Sequence, residues 1–367
     1  MATTRTGKLR ASTDRANRRG FPPVQIVSGA AFELIAELAA FTSGPARASL
    51  ESGKTWIREV RGLAGPDLIR RVERWGFALY SELTSIALEA GPPYDPGQLV
   101  TGLRALPPDV VRRRLLGAES APNRSMVSDG AFDRGLAGDG AARKELRVAL
   151  GLNPSGRRSI DRLLTTSSDA VQAEVSSIVE AWASQVFPMY AADALRIVDR
   201  DVALKERLFG ASPGRDALQI ATNGVDFEPT AWATEIVVIP TVALRPFLAP
   251  IEFGAAAIFL CSVADEAFDA DPAAPPRRVV KIAVAIGDEL RLRILHALVD
   301  DEMTASEIAD RLGVDRTSLH HHLGILRSAG LVAIRDDGVH GWRYTRRAAR
   351  VDHVGSALDA YLGPQIH

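Results

Sequence analysis

The basic side chains that could bind phosphate are concentrated near the C-terminal end of the chain. Between positions 315 and 350 the sequence has seven arginines against three aspartates, and three histidines stand together at 320–322, although the formal net charge of the whole chain is only −1. Arginines gathered on one surface neutralise the phosphates of a nucleic-acid backbone, and a local basic patch is the electrostatic footprint of such binding. The composition of this stretch therefore favours a contact with nucleic acid.

The three consecutive histidines could instead be ligands of a metal ion. Successive residues on an α-helix point about 100° apart, so neighbouring imidazoles cannot converge on one ion. We expect no metal site and no cofactor. His320 and His321 are better suited to contact DNA than to remain only solvated, whereas His322 is expected at the edge of the core.

The elements that must position these side chains have the pattern of a helix-turn-helix. Asp288 can cap a first helix, and Thr304 with Glu307 forms a capping box for a second one. Gly313 is suited to the tight turn that leads into a third helix. The first helix is expected to direct three leucines toward a core: Leu292, Leu295 and Leu298.

The third helix is the expected recognition helix. Asp315 can cap it, Gly330 ends it, and three leucines at 319, 323 and 326 form its inward face, which leaves the opposite face for the major groove of DNA. The apolar β runs that follow are separated by Asp337-Gly338, a dipeptide favoured in hairpin turns, and predict a wing. The residues expected to contact DNA, or to lie on the same face, are Arg316, Thr317, Ser318, His320, His321, Gly324, Arg327, His340 and Arg343.

These features resemble the ArsR family of winged helix-turn-helix regulators. The resemblance is carried by D-x-x-R-L-R-I-L at 288–295, H-H-L at 321–323 and A-G-L-V at 329–332, and it spans about residues 279–350. It implies a cytoplasmic transcriptional regulator that binds double-stranded operator DNA as a homodimer. Family members usually repress transcription and release DNA when an effector binds.

The resemblance also implies a terminal dimerisation helix over Ala348–Leu362, with Val351, Val354, Leu358 and Tyr361 on one face. Metal-sensing members of the family have cysteines in the first helix of the motif, where this chain has Ser306 and Ala309. Others use acidic and histidine ligands on the last helix, at spacings that the histidines at 353 and 367 do not reproduce. Soft-metal sensing is therefore not expected.

The whole chain has the composition of a globular protein of the reducing cytosol. It has 367 residues, of which 46% are hydrophobic and 24% charged, which allows two domains. Cys261 is its single cysteine, so no intramolecular disulfide can form. Residues 1–20 are basic without an apolar run and predict a flexible tail, and the longest apolar stretch, 253–264, is too short to cross a bilayer.

Residues 21–264 are predicted to form a largely helical N-terminal regulatory domain. Apolar spacing predicts one long helix from Asp67 to Ala90 and another from Val171 to Phe187. Between Ala217 and Val263 short β-branched runs predict a small sheet or hairpin. The predicted fold class is therefore mainly α with minor β.

An acidic segment that becomes rich in alanine and proline, 265–276, predicts an exposed linker. The winged helix-turn-helix domain then occupies 277–367. An N-terminal region of about 250 residues is larger than a spacer requires, so we hypothesise that it senses a small apolar ligand. Tryptophans on apolar stripes usually belong to a core, yet the candidates for such a pocket are Trp75, Phe77, Trp182 and Tyr190.

An enzyme is the main alternative for the N-terminal region. All seven histidines lie at position 296 or later, so residues 1–295 have no histidine to act as general base or metal ligand. No paired motif supports carboxylate or lysine chemistry, and we predict no enzymatic activity. A protein-interaction scaffold with an accessory winged helix is the other alternative, although the basic recognition helix argues against it. The sequence leaves open the effector, the operator and whether transcription is repressed or activated.

Overall fold

The computed structural model describes residues 21–44, 47, 50–150, 154–211, 214–227, 233–268, 275–336, 342–347, 361 and 363. Four predicted features lie outside these residues: the basic tail 1–20, the wing turn at 337–338, His340, and the terminal helix 348–362 apart from Tyr361. Within them the fold is mainly α with minor β, as predicted. None of the described helices is both long and apolar enough to cross a bilayer.

The N-terminal unit is built on a helix that is buried on all sides. This helix, α1, covers Ala30–Phe41, and every residue from Ala31 to Phe41 is buried. Its sequence, AAFELIAELAAF, is apolar around almost the whole circumference, which is the pattern of a helix enclosed by others. The helices that follow in the chain are α2 (Gly53–Glu73), α3 (Phe77–Ala90), α4 (Pro96–Ala105), α5 (Pro108–Leu115), α6 (Ala121–Ser125), α7 (Ala131–Ala137), α8 (Gly140–Leu150), α9 (Pro154–Thr165), α10 (Ser168–Gln185), α11 (Ala191–Ala211) and α12 (Arg215–Ala221).

The predicted single helix from Asp67 to Ala90 is wrong. The structure has two helices there, and the chain leaves α2 after Glu73 and enters α3 at Phe77, with Gly76 as N-cap in an extended conformation. The apolar spacing continues across the break because Trp75 packs into the same core as the helices on either side of it. The three-to-four-residue spacing of apolar residues therefore gave no indication of the turn between the two helices.

A mixed four-stranded sheet covers one side of the helices. Its strands are β3 (Glu235–Thr241), β4 (Leu248–Phe253) and β5 (Ala256–Ser262), which confirm the predicted β element, together with β1 (Val24–Ile26). The order is β1-β3-β5-β4, with β1, β3 and β5 parallel and β4 antiparallel to β5. The position of β1 was not predicted, since three residues carry almost no periodic signal.

The C-terminal domain has the predicted winged helix-turn-helix elements. They are α13 (Arg277–Ile286), α14 (Glu289–Ala297), β6 (Met303–Thr304), α15 (Ala305–Leu312), α16 (Arg316–Ser328), β7 (Val332–Asp336) and β8 (Trp342–Arg346). One core assignment is wrong: Leu292 is 49% exposed, and Ile294 is buried in its place beside Leu295 and Leu298. The buried residues 291, 294, 295 and 298 follow the i, i+3, i+4, i+7 spacing of one helix face, and Leu292 lies beside this face rather than on it.

The two parts of the chain share a β-sheet. Strand β2 (Val225–Phe227) belongs to the N-terminal unit by sequence, yet it pairs in parallel with β7 of the wing. The second sheet therefore has the order β2-β7-β8-β6. The linker at 265–276 begins with a short 3-10 helix at Asp265–Ala267, and positions 269–274 lie outside the described residues. The N-terminal unit and the winged domain are therefore connected both by the linker and by the pairing of β2 with β7.

Candidate nucleic-acid interface

The start of the recognition helix is fixed by local hydrogen bonds, as predicted. Asp315 Oδ1 accepts a hydrogen bond from the backbone N–H of Ser318 at 3.3 Å. Gly313 ends α15 with φ 67°, a left-handed conformation that glycine adopts without strain. The inward leucines of α16 are fully or almost fully buried: Leu319, Leu323 and Leu326.

The two helices that precede α16 in the chain, α14 and α15, also begin at capping residues. Thr304 Oγ1 accepts from the Glu307 N–H at 3.2 Å, and a Glu307 carboxylate oxygen accepts from the Thr304 N–H at 2.7 Å, which completes the predicted capping box. Asp288 Oδ1 accepts from the Arg291 N–H at 3.0 Å. His322 Nδ1 lies 3.6 Å from Asp288, which places this imidazole against α14, as expected for a residue at the edge of the core.

The surface that α16 leaves open begins at its N-terminal turn. The side chain of Ser318 is exposed and that of His321 is half-buried. His320 is exposed too, but partial desolvation lowers its pKa below the usual 6.5. A neutral imidazole both donates and accepts hydrogen bonds, which suits the mixed edges of base pairs. Arg316 and Thr317 are the first two residues of α16, and the positions of their side chains lie outside what the structure describes.

Arg327 is not on the DNA-facing surface, and this prediction is corrected. Its side chain is buried and donates to the carbonyl oxygens of Pro246 at 2.6 Å and of Thr222 at 3.4 Å, both in the N-terminal unit. Asn223 Nδ2 in turn donates to the Arg327 carbonyl at 3.1 Å. Burial lowers the pKa of Arg327 to about 10, so it remains charged at neutral pH. Arg327 therefore joins the recognition helix to the N-terminal unit.

Gly324, like Arg327, lies on a side of α16 that the N-terminal unit covers. It was predicted on the open face with His320 and His321, but a Cβ added to Gly324 would lie 2.6 Å from Cε1 of Phe247. The helical periodicity of α16 alone leaves Gly324 open to solvent, and it is Phe247, a neighbour from another part of the chain, that covers it. A glycine on a supposed DNA-contact face, where it offers no side chain, was the available signal for close packing.

Arg343 supports the wing. It lies on β8, donates to the backbone carbonyl of Glu302 and forms an ion pair with Glu307 at 3.4 Å. Its side chain retains 25% exposure, so its guanidinium is held in place and still reaches solvent. His340, the other predicted wing contact, lies outside the described residues.

Three of the four predicted effector residues, Trp75, Trp182 and Tyr190, take part in the core of the N-terminal unit. Trp182 is fully buried and donates from Nε1 to Glu37 at 2.9 Å, and Tyr190 donates its hydroxyl to Glu59 at 3.0 Å. Trp75 is 3% exposed, and the side chain of Phe77 lies outside the described atoms. None of these four lines either cavity described below, of about 180 Å³ and 410 Å³.

Neither Cys261 nor the potential metal ligands that the structure describes form a reactive site. Cys261 is fully buried on β5, and burial raises the pKa of its thiol to about 11, which keeps the thiol protonated and unreactive at neutral pH. Among the residues that the structure describes, no group of three or more histidine, cysteine, aspartate or glutamate side chains could hold a metal ion.

The 410 Å³ cavity lies between α14 and α15 and is lined in part by Leu292 and His296.

Comparison with known proteins agrees with this geometry. A family model described as a helix-turn-helix domain matches residues 286–335. The chain is 35% identical over 68 residues to the uncharacterized HTH-type transcriptional regulator MJ1325 of Methanocaldococcus jannaschii, covering 18% of this chain and 76% of that protein. It is 38% identical over 60 residues to the HTH-type transcriptional regulator KmtR of Mycobacterium tuberculosis, covering 16% of this chain and 46% of KmtR.

Three such relatives match stretches of only 49 to 68 residues, the size of one small domain. A third relative, the transcriptional repressor SdpR of Bacillus subtilis, is 39% identical over 49 residues, covering 13% of this chain and 54% of SdpR. The chain thus spans about half the length of KmtR and SdpR, and no solved structure matches it. The chain belongs to the helix-turn-helix-type transcriptional regulators, with an ArsR-like helix-turn-helix domain matched at residues 286–335 and a large N-terminal unit before it.

Proposed function

We propose that this regulator is a dimeric repressor of the cytoplasm that reads operator DNA with α16 and the wing. The observation that carries the proposal is the capped start of α16 with its exposed Ser318 and His320, because residues at the start of a recognition helix reach base edges first. Arg343 supplies a partly exposed positive charge on the wing for the adjacent phosphates. We assign the N-terminal unit a regulatory role and no catalytic activity.

Dimerisation is supported by an apolar surface on the C-terminal domain. On α13, Val280 is 43% exposed and Val284 is 52% exposed, and Leu292 on α14 is 49% exposed. Val280 and Val284 lie one helical turn apart, and exposed aliphatic side chains on a DNA-binding domain are suited to cover one another in a two-fold dimer. Such a dimer would present two copies of α16 to half-sites about one helical turn of DNA apart.

Repression is the direction we favour. SdpR is named a transcriptional repressor, and repression is what the resemblance to the ArsR family implies. An effector that binds the N-terminal unit would relieve it. Because Trp75, Trp182 and Tyr190 are engaged in the core, an apolar effector would have to act by displacing core contacts rather than by filling an existing space among them.

The test begins with the full-length protein and a random-sequence pool of duplex DNA. Duplexes retained through successive rounds are sequenced, and the winning duplex is compared with a scrambled one of equal composition in a mobility-shift titration. We expect a pseudo-palindromic sequence bound at least 100-fold more tightly than the scrambled duplex, since specific sites exceed non-specific ones by about 10³ or more. Equal affinity for both duplexes would contradict the proposal.

The direction of regulation is measured in a reporter. The selected duplex is placed across a constitutive promoter in a host that lacks the protein, and expression is compared with and without it. A fall in reporter signal supports repression, whereas a rise identifies an activator. Screening apolar metabolites for those that restore the signal then tests the effector hypothesis.

A further inference from the structure

One flank of the recognition helix is covered by the N-terminal unit. Phe247 packs against the backbone of α16 at Gly324, where any side chain would collide with its ring. One turn further on, the Arg327 guanidinium reaches the Pro246 carbonyl. Both contacts come from the segment that leads into β4, so a single stretch of the N-terminal unit lies along the C-terminal half of α16.

The wing is held by the same unit through backbone pairing. The register joins Val225 to Ile334 and Asp226 to Arg335, and the Ile334 N–H donates to the Gly224 carbonyl at 2.8 Å. Side chains support the pairing, since Arg335 lies 4.0 Å from the Asp226 carboxylate. Strand β2 therefore covers the outer edge of β7, which a winged domain on its own would leave to solvent.

A ring of four charges makes the third connection. Lys281 on α13 lies 2.7 Å from the Asp265 carboxylate and 3.0 Å from that of Glu51, and both carboxylates also pair with Arg245. Lys281 is the one member of this ring that belongs to the winged helix-turn-helix domain. The ring lines the cleft of about 180 Å³ between the two units, next to the end of α16 at Ser328.

We infer that this arrangement is a closed state in which the N-terminal unit prevents full entry of α16 into DNA. The inference rests on the proposed function. The major groove is about 12 Å wide, and a helix with its side chains is about 10 to 12 Å across. A helix that carries Phe247 and Pro246 along its flank is wider than the groove, so α16 can enter fully only after the units separate.

Opening requires the three connections to break together. They join different elements of the winged domain, namely α16, β7 and α13, to the N-terminal unit and the linker that follows it. A ligand that binds the closed state more tightly would keep the regulator off DNA, and one that prefers the open state would allow binding. The N-terminal unit thus regulates by covering the reading helix directly.

A reversible disulfide across β2 and β7 tests this inference in the full chain. Register partners on neighbouring strands are about 4.8 Å apart, within the span of about 4.4 to 6.8 Å that a disulfide bridges between Cα atoms. Asp226→Cys with Arg335→Cys is oxidised, and its affinity for the selected operator duplex is measured before and after reduction. Cys261 is buried and will not compete. The single variants, treated identically, are the controls.

We expect the oxidised double variant to bind the duplex at least tenfold more weakly than after reduction, with both single variants unaffected by oxidation. Equal binding before and after reduction would overturn the inference while leaving the proposed function intact. Failure of the disulfide to form would also overturn it, because the two strands would then not be paired. If the wild-type chain selects no duplex, the proposed function itself fails.

A second variant opens the flank without touching the strands. Phe247→Ala removes the ring that packs on Gly324, and we expect it to bind the selected duplex at least threefold more tightly than wild type. Phe253→Ala is the matched control, since this ring lies at the far end of β4 beneath Arg114 and away from α16. Weaker or unchanged binding by Phe247→Ala, with Phe253→Ala at the wild-type level, would count against a closed state.

Discussion

The guanidinium of Arg327, in the recognition helix, donates a hydrogen bond of 2.6 Å to the carbonyl of Pro246 in the N-terminal unit. A second bond reaches the Thr222 carbonyl, and the whole side chain is buried. A cation that would be expected to face phosphate thus has its donors directed to backbone oxygens inside the protein. The orientation of the reading helix is therefore set partly by residues outside the winged domain.

Arg327→Met should lower the free energy of unfolding by about 2 to 3 kcal/mol. The methionine keeps the apolar stem, but the carbonyls of Pro246 and Thr222 lose a charged donor, and a buried acceptor without a partner costs about 1 to 3 kcal/mol. Urea denaturation followed by circular dichroism measures the change. Arg278→Met, at an exposed arginine near the start of α13, is the control and should leave stability within about 0.5 kcal/mol. Equal stability of the two variants would contradict the role assigned to Arg327.

The winged domain could be predicted from sequence because its signals are local. Asp288, the Thr304 and Glu307 capping box, and the turn at Gly313 each act within three or four residues, so the residue types alone indicate the geometry. The error at Leu292 has a local cause as well. A continuous apolar stripe was assumed, whereas one exposed leucine on α14 belongs to a surface suited to association.

The contacts between the units could not be predicted in the same way. Strand β2 has three residues, and its partner β7 lies more than 100 positions further along the chain, so no periodic pattern connects Val225 with Ile334. Arg327 has the same residue type whether it binds phosphate or a buried carbonyl. Only the fold determines which acceptors it meets, and this is why two of the nine residues expected on the DNA face, Gly324 and Arg327, were wrongly assigned to it.

Operator binding by the full chain should depend strongly on salt. If about four phosphates are neutralised, affinity should fall by about 100-fold between 50 and 200 mM monovalent salt, since each contact contributes a slope of about −0.9 in log affinity against log salt concentration. Fluorescence anisotropy with the selected duplex measures the slope. A slope near zero would mean that the duplex is not held through its phosphates.

Val284→Asp should dissociate the proposed dimer. The residue is 52% exposed on α13, and a buried, unpaired carboxylate at a two-fold interface would appear twice. Sedimentation velocity should show a dimer for the wild type and a monomer for the variant. The matched control is Val148→Asp, because Val148 is 76% exposed on α8 in the N-terminal unit and should leave the dimer intact. A dimer that survives Val284→Asp would place the interface elsewhere.

Glu82→Gln should raise stability at alkaline pH. Burial raises the pKa of Glu82 to about 8 from an ordinary 4.5, and the nearby Glu252 carboxylate adds to the shift. The folded state therefore holds this proton more tightly than the unfolded state does, so the stabilisation is complete below pH 4.5 and is lost as the pH rises through 8. The amide has no proton to lose and avoids this loss.

The measurement is the free energy of unfolding of wild type and Glu82→Gln between pH 5 and pH 9. The free energy of unfolding of the variant should rise relative to that of the wild type by about 4 kcal/mol over this range, given about 1.4 kcal/mol for each pH unit between 5 and 8. Glu206→Gln, at an exposed glutamate on α11, should follow the wild type throughout. Parallel curves for wild type and Glu82→Gln would show that the Glu82 carboxyl ionises as in water.

His321→Ala should relax the sequence preference of the regulator more than it weakens binding overall. Together with Ser318, it lies on the surface that α16 leaves open, and a side-chain contact to a base edge distinguishes bases, which phosphate contacts do not. Each such contact is worth about 1 to 3 kcal/mol of discrimination, so the ratio of affinities for the selected and scrambled duplexes should fall by about 5- to 150-fold. The salt slope should stay unchanged, because no phosphate contact is lost. His296→Ala is the control, since this exposed histidine lies on α14 rather than on the recognition helix. If His321→Ala keeps the wild-type ratio, base reading lies on another face of α16.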